Sequence, residues 1–366
     1  MNELEAMKAQ LKAMPRKKKV DSDRLSSGVW MFNLACSGDP DWCISKKDYM
    51  LMVGDSQSLK TWIALQLLAE AAINPSFSKH KLIHNNPERG ARMSIRKFFG
   101  GLADRLQEPK GGSSKTIQEF YDHIIDLADE GKPFIEVLDS EDALSDENED
   151  RKTRSNKKAR MQEDGKVKGS YGGAGKAKEN SQRLRSSYNA LEGPGSILVM
   201  IKQTRDNIGF GSQFNPKTRN GGRSLTFFAV VECWFSVAWK IKKSAMGKKR
   251  VVGSVVRVHV KKTRLFGRDR TVDIRFYPNH GIDNTGTSIH WLVEEKHWPS
   301  SKGEEGSKDD NLKIKAPEFK WEGSIDGLAR KIEKEGREDE LKVIVKGVWD
   351  EIEEACSIDR KNRYGE

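Results

Sequence analysis

The sequence predicts an α/β fold: a mostly parallel central sheet flanked by helices, with an N-terminal helix and a small C-terminal helical domain. Three observations predict it. Short apolar runs alternate with stretches of helical periodicity, the pattern of successive βα units. A glycine-led, hydroxyl-rich turn, Gly54 to Thr61, falls between one such run and one such stretch. Near the end of the chain, Leu341, Ile344, Val345, Val348, Trp349, Ile352 and Ala355 share one helical face.

The elements follow in order. Leu4, Met7, Leu11 and Met14 recur at helical spacing ahead of a basic stretch, Arg16 to Lys19, so residues 1–24 read as a helix and linker. Tyr49–Val53 reads as a strand and Thr61–Ala72 as the helix after it. Lys81–His84 is a short strand, Ile117–Asp129 a helix, and Pro133–Leu138 and Ser196–Lys202 are strands. Ser224–Trp239 holds a short helix and a strand, and Val251–Arg264 and Arg270–Tyr277 form a strand pair joined near Gly267. Residues 25–298 therefore make the main domain. Residues 299–366 make a charged linker and an acidic tail domain.

Composition narrows the function. The chain of 366 residues is long enough for one large domain and a smaller one. Its residues are 36% apolar and 33% charged, and no apolar run approaches the roughly 20 residues that span a bilayer. Residues 1–20 lack a signal-peptide core, so a cytoplasmic protein without a membrane partner is expected. The net charge of +11 and pI of about 9.3 point to a polyanionic partner. The charge is uneven: residues 151–185 hold twelve Lys/Arg against three Asp/Glu, and residues 300–366 hold fourteen against eighteen. A basic middle with an acidic end suits a nucleic-acid surface with a competing tail. Cys36, Cys43, Cys233 and Cys356 form no Cys-x-x-Cys pair and read as reduced thiols.

Two stretches lack periodicity, about 145–180 and 208–223. Long aperiodic segments inside a domain are commonly functional. The first carries Tyr171 among four glycines, followed by Lys176 and Lys178. The second carries Phe214, Lys217, Arg219, Gly221, Gly222 and Arg223. Glycines let backbone amides approach phosphates, the Gly221–Gly222 pair opens a helix whose first amides suit a phosphate, and the lysines and arginines supply charge. Tyr171 and Phe214 can stack on bases.

Gly54, Asp55, Ser56, Gln57, Ser58, Leu59, Lys60 and Thr61 follow the phosphate-binding pattern G-x-x-x-x-G-K-[ST] except at Leu59, where the second glycine belongs. Such a turn wraps backbone N–H groups around a phosphate at a helix N-terminus. Lys60 reaches the terminal phosphates, and the Thr61 hydroxyl ligates Mg²⁺. The apolar run Phe134 to Leu138 ends in Asp139, placed to orient the same ion through water. ATP and Mg²⁺ are the expected cofactors. Leu59 brings a branched side chain to a spot where glycine relaxes the backbone, so Leu59→Gly is expected to raise nucleotide affinity or turnover. Glu136 is an unusual residue for a buried strand.

The segment Ile201 to Gly211, together with Asn215 to Thr218 and Gly221 to Ala229, resembles the second DNA-binding loop of bacterial RecA and its phage relatives. Val137 to Ser140 with Ala143-Leu144 is similar to that family's magnesium-binding strand, and Ala64 to Pro75 is similar to its phage-type members. The resemblance covers roughly residues 25–298. It implies an ATP-dependent DNA recombinase, a DNA-dependent ATPase that acts as a homo-oligomeric helical filament. The filament forms on single-stranded DNA, pairs with homologous double-stranded DNA and is helped by loading or mediator proteins. The resemblance also implies a phage-encoded protein in a bacterial host, with the N-terminal helix docking on the next subunit. Residue by residue, Glu88 falls where the family activates the attacking water. Gln203 falls where it senses the γ-phosphate, and Lys262 and Arg264 where cations reach the neighbouring subunit's nucleotide. Arg205 lies within the matched loop, and Ile208 falls where an apolar residue wedges between bases. Where the family carries an Asp just upstream of the glutamate, this chain has Asn85 and Asn86. A non-catalytic DNA-binding filament or mediator, its phosphate turn spoiled by Leu59, is the competing reading. A closed-ring helicase motor is a third.

Overall fold

The computed structural model describes residues 22–160, 174–206, 217–219, 222–301, 312–358 and 360. A nine-stranded sheet organises them. In chain order its strands are β1 (Tyr49–Gly54), β2 (Lys81–Asn85), β3 (Leu106–Gln107), β4 (Phe134–Leu138), β5 (Ile197–Gln203), β6 (Val231–Ala245), β7 (Lys248–Thr263), β8 (Arg270–Tyr277) and β9 (Gly281–Ile282). Their spatial order is β9-β8-β7-β6-β1-β5-β4-β2-β3. From β6 to β3 every neighbouring pair is parallel, and from β6 to β9 every pair is antiparallel. The mostly parallel α/β sheet predicted from the alternating runs is therefore present, extended on one side by antiparallel strands.

Both faces of the parallel half are buried, which is why its strands are nearly continuous apolar runs. Met50, Met52, Ile135, Val137, Ile197, Val199 and Ile201 face one core with the helices Trp30–Ser37, Lys60–Ile73 and Asn284–Glu294. Tyr49, Leu51, Val53, Phe134, Leu138, Leu198 and Met200 face the other core. The helix Ile117–Asp129 covers that second face through Ile117, Phe120, Tyr121, Ile124 and Leu127. Its start is fixed by a capping box, in which the Thr116 hydroxyl accepts from the Glu119 N–H and the Glu119 carboxylate accepts from the Thr116 N–H.

Glu136 points to this second face and is fully buried. Asn85 Nδ2 donates to its Oε1 at 3.1 Å, and His123 Nδ1 lies 3.2 Å from both carboxylate oxygens. Asn85 also donates to the Ser114 hydroxyl and accepts from the Ser114 N–H. An aspartate at 85 would set a second carboxylate against Glu136, so the asparagine has a packing reason. Burial lowers the His123 pKa, but the hydrogen bond and charge of Glu136 outweigh it and raise the group above its ordinary value. A base with a raised folded pKa stabilises the fold fully below its unfolded pKa, and that contribution disappears as pH climbs through the folded value. His123→Gln is therefore expected to cost about 1.5–3 kcal/mol at pH 6 and clearly less at pH 8.5, read from urea unfolding at both pH values. An equal cost at both would refute the charged pair.

Two sequence expectations differ from the structure. The stretch 145–180, read as a loop, contains helices Glu147–Arg160 and Ala174–Glu192, so Lys176 and Lys178 belong to a helix rather than a loop. The first helix is polar all round and is supported by helix-forming residues and an Arg151–Glu147 pair at 3.4 Å, not by an apolar face. The C-terminal part is not purely helical. Ser300–Ser301, Lys313–Ala316 and Trp321–Ser324 form a three-stranded antiparallel sheet beside helices Ile325–Glu335 and Glu338–Ala355. Its apolar residues continue the main core, with Trp349 tilted against Trp291 at 5.8 Å and Trp298 edge-on to Phe319 at 5.9 Å. Residues 1–21, with the expected N-terminal helix, lie outside the described residues, as do Tyr171, Ile208, Phe214 and Gly221.

Candidate functional site

The parallel strands deliver their C-terminal ends to one edge of the sheet, where ligands of open α/β sheets bind. β1 ends at Gly54 and the helix Lys60–Ile73 begins six residues later. Gly54 sits too close to its neighbours for a side chain: an added Cβ would lie 2.4 Å from the Phe235 carbonyl oxygen. Leu59 caps the helix with φ 67° and ψ 0°, the left-handed conformation that glycine takes without cost. Its side chain is only 5% exposed and belongs to the main core. Packing thus offsets the strain, since left-handed backbone costs roughly 1–2 kcal/mol and burying a leucine returns about 1.5–3 kcal/mol. The backbone already has glycine's shape. Leu59→Gly is accordingly expected to lower stability by about 1–3 kcal/mol in thermal or urea unfolding, because it empties a packed position, and to raise nucleotide affinity less than the sequence suggests. A more stable variant would contradict this.

Lys60 Nζ folds over the turn, donating to the carbonyls of Gly54 (2.7 Å) and Asp55 (2.6 Å) and to the Ser58 hydroxyl (3.2 Å). Burial pulls its ammonium below the ordinary value, opposed by the carboxylates of Asp139, Glu88 and Asp55. The Thr61 hydroxyl donates to Asp139 Oδ2 at 2.7 Å, with His84 Nε2 3.5 Å from the same oxygen. Beside them, Glu88 Oε1 accepts from the Ser140 hydroxyl and, at 2.6 Å, from Gln203 Nε2. The turn, Glu88, Asp139, Ser140 and Gln203 line one cavity of about 250 Å³. A second cavity of about 330 Å³ adjoins it, sharing Gln57, Leu59 and Trp62 and adding Lys240, Phe276 and Pro278. Trp62 meets Phe98 and Phe276 edge-on and Phe99 at a tilt, at 4.9–5.4 Å. Sequence reading misses this aromatic wall, because its members come from three separate elements. Chemically, a cation, a hydroxyl–carboxylate pair and a turn of amides suit a polyphosphate with a divalent ion, and the adjoining cavity, with Trp62 and Phe276 in its lining, suits an apolar ring.

A basic cleft lies against the second core, at the start of β6 and the end of β7. Lys217, Arg219, Gly222, Arg223 and Lys262 line a cavity of about 880 Å³ with Phe227 and Trp234. Arg219 reaches the Gly222 carbonyl (3.1 Å), the Thr226 hydroxyl and Glu232 (3.7 Å). Gly222, at φ 76°, packs on Ala177 of the helix that carries Lys178, so the two predicted basic segments meet. Lys178, Arg205, Lys217 and Arg223 are exposed. Lys261 lies 4.9 Å over the Trp234 ring, and Phe227 is 66% exposed. Lys262 Nζ donates to the carbonyls of Thr226 and Phe227 (3.1 Å), and Arg264 Nη2 to that of Phe227 (2.7 Å). Neither lines the Lys60 cavity of its own chain. Burial and the neighbouring Arg264 lower the Lys262 pKa.

The cavity and the cleft are bridged. Lys217 Nζ lies 2.8 Å from Asp206 and 3.4 Å from Asp55 of the turn, and Asp55 also accepts from the Thr204 hydroxyl. That hydroxyl, with Lys217, holds the Asp55 carboxyl below its usual range. The long β6–β7 hairpin is a further basic feature that sequence reading passes over. Lys242, Lys243, Lys248, Lys249 and Arg250 are exposed around a tip where Met246 is 94% exposed.

Comparison with known families bears on the second half of the main sheet; Gly54 to Thr61, Glu88 and Asp139 lie outside the matched span. The family described as RecA N-terminal domain matches residues 157–283, the span from the first basic segment through β5, the basic cleft and the hairpin to β9. The match covers about a third of the chain, and over that span the chain is similar to the RecA N-terminal domain. No described helix is long and apolar enough to cross a membrane.

Proposed function

We propose that this RecA-like chain binds ATP with Mg²⁺ at the Lys60 cavity, assembles as a helical filament on single-stranded DNA, and promotes homologous pairing and strand exchange. One observation carries the reading: Lys217, which lines the basic cleft, is bridged to Asp55 of the phosphate-type turn, so a ligand in one bears directly on the other. In this reading Lys60 holds the terminal phosphates, and Thr61 and Asp139 hold the ion. The ion's chemistry is to neutralise charge on the β- and γ-phosphates. Glu88 takes the proton of the attacking water, and Gln203 reports the γ-phosphate. Lys262 and Arg264, turned away from their own cavity, serve the next subunit's nucleotide, which makes hydrolysis depend on assembly. Lys178, Lys217, Arg219 and Arg223 hold the DNA backbone, with Phe227 and Trp234 as stacking surfaces.

The test is ATP turnover with and without single-stranded DNA, with electron microscopy of the products. DNA-stimulated turnover and open helical filaments are expected. DNA binding without turnover in either condition would instead favour the non-catalytic filament. The double variant Arg219→Ala, Arg223→Ala is expected to weaken binding alike for oligonucleotides of any sequence and to flatten the salt dependence by about two phosphate contacts. A sequence-selective loss would count against backbone recognition.

A further inference from the structure

Lys202 is an anomaly in β5. It sits one residue before Gln203 in an apolar strand, and its side chain is 1% exposed. It faces the second core, among Leu198, Met200 and Tyr49. Its ammonium pairs with Glu141 and, at 3.1 Å, with Asp142, both in the turn that follows Asp139 and Ser140. Asp142 Oδ2 also accepts the Gln203 N–H at 2.7 Å. The other Glu141 oxygen accepts from Asn180 Nδ2 at 2.7 Å, and the Tyr121 hydroxyl donates to Asn180 Oδ1 at 2.9 Å. Asn180 is fully buried on the helix Ala174–Glu192, two residues from Lys178.

A buried ion pair is a poor source of net stability, because two desolvated charges seldom outperform a well-packed apolar pair. What it supplies is geometry: each partner has few alternative positions. Here the pair joins three parts that function must coordinate, namely the Gln203 strand end, the turn after Asp139, and the helix carrying the first basic segment.

We propose that the Lys202–Glu141–Asn180 chain of contacts is a positioning device that transmits nucleotide occupancy from the Gln203–Glu88 corner to the Ala174–Glu192 helix and its DNA-binding end. The inference rests on the reading of Gln203 as a phosphate sensor. In the present arrangement the Gln203 amide is held by Glu88. A terminal phosphate offers it a different acceptor, which gives the strand end two discrete positions, and such a two-position element is what coupling requires. Lys202, next in the strand, shifts with it and carries Glu141, and Glu141 carries Asn180.

The test breaks the last link and leaves the charges intact. In full-length protein, Asn180→Leu and Tyr121→Phe are compared with the unaltered chain. Affinity for a fluorescent single-stranded oligonucleotide is measured with and without a non-hydrolysable triphosphate, and binding of a fluorescent triphosphate is measured without DNA. Hydrogen exchange is followed across residues 177–192. In the unaltered chain the triphosphate is expected to tighten DNA binding roughly tenfold or more and to slow exchange in that helix. In Asn180→Leu the ratio should fall to within about twofold of unity and the exchange response should vanish, while each ligand alone binds within about twofold of normal. Tyr121→Phe, the milder change, should fall between and carries the test if Asn180→Leu does not fold. Ratios unchanged in the folded variants overturn the proposal. So does a triphosphate that binds the unaltered chain without affecting exchange in 177–192, an outcome that leaves the nucleotide site standing. Absence of triphosphate binding in the unaltered chain overturns the parent reading and this one together.

Discussion

Replacing Lys60 with alanine is expected to abolish triphosphate binding and, with it, every triphosphate-dependent change in DNA affinity. The ammonium is folded onto the Gly54 and Asp55 carbonyls and is largely buried. Phosphate oxygens are better partners for it than neutral carbonyls, and two charge-assisted hydrogen bonds at about 1.5–3 kcal/mol each amount to a loss of roughly 100-fold or more in affinity. Alanine also frees two carbonyl oxygens at the mouth, which repel phosphate. Equilibrium binding of a fluorescent ATP analogue reads the effect. DNA binding in the absence of nucleotide should persist, because the basic cleft does not use Lys60. An affinity loss under about fivefold would show that the ammonium does not meet phosphate at all.

Glu88→Gln is expected to separate binding from turnover. Glu88 accepts from Ser140 and Gln203, and glutamine can keep the Ser140 contact through its own carbonyl. A neutral amide cannot take a proton from water. Turnover should therefore drop by about 100- to 10,000-fold, the usual span for loss of a general base. Nucleotide affinity should hold or rise, since one negative charge leaves the proposed triphosphate site. Filaments made with this variant should persist after ATP addition and not disassemble. If turnover and nucleotide affinity fell together by similar factors, Glu88 would be a structural ligand of the corner and not a base.

Both variants concern residues legible in the amino-acid sequence alone, and for Lys60 the reason is local. Gly54 to Thr61 and Asp139 lie at strand ends, where a short stretch of sequence determines both conformation and chemistry. The C-terminal helix is readable because its apolar face repeats over many turns. Leu59 is readable as a departure from pattern, but the burial of its side chain is not: that depends on the core beneath it, which no local window contains. Glu136 stands out as a charge within an apolar run, whereas Lys202 passes for the polar end of its strand. The partners of both, His123 and Glu141, come from other elements brought in by the sheet. Helices 147–160 and 174–192 escape because periodicity detects a buried stripe, and the first of them has no apolar face to show one. Its helix is a matter of residue propensity, a weaker signal. The strands at 300–301, 313–316 and 321–324 are too short to establish an alternation. The hairpin charges are legible only as composition, because exposure of a tip depends on how far the ribbon outruns its neighbours.

The place of β1 in the sheet bears on how the chain is made. Tyr49–Gly54 is synthesised early, yet its two flanking strands are Ile197–Gln203 and Val231–Ala245. Such pairings between distant segments are slow to form. While the polypeptide is still emerging from the ribosome, an apolar strand waits with both edges open to other chains. Aggregation should thus be most frequent among nascent molecules that have passed Gly54 but not reached Ala245, and pauses in elongation within that interval prolong the hazard.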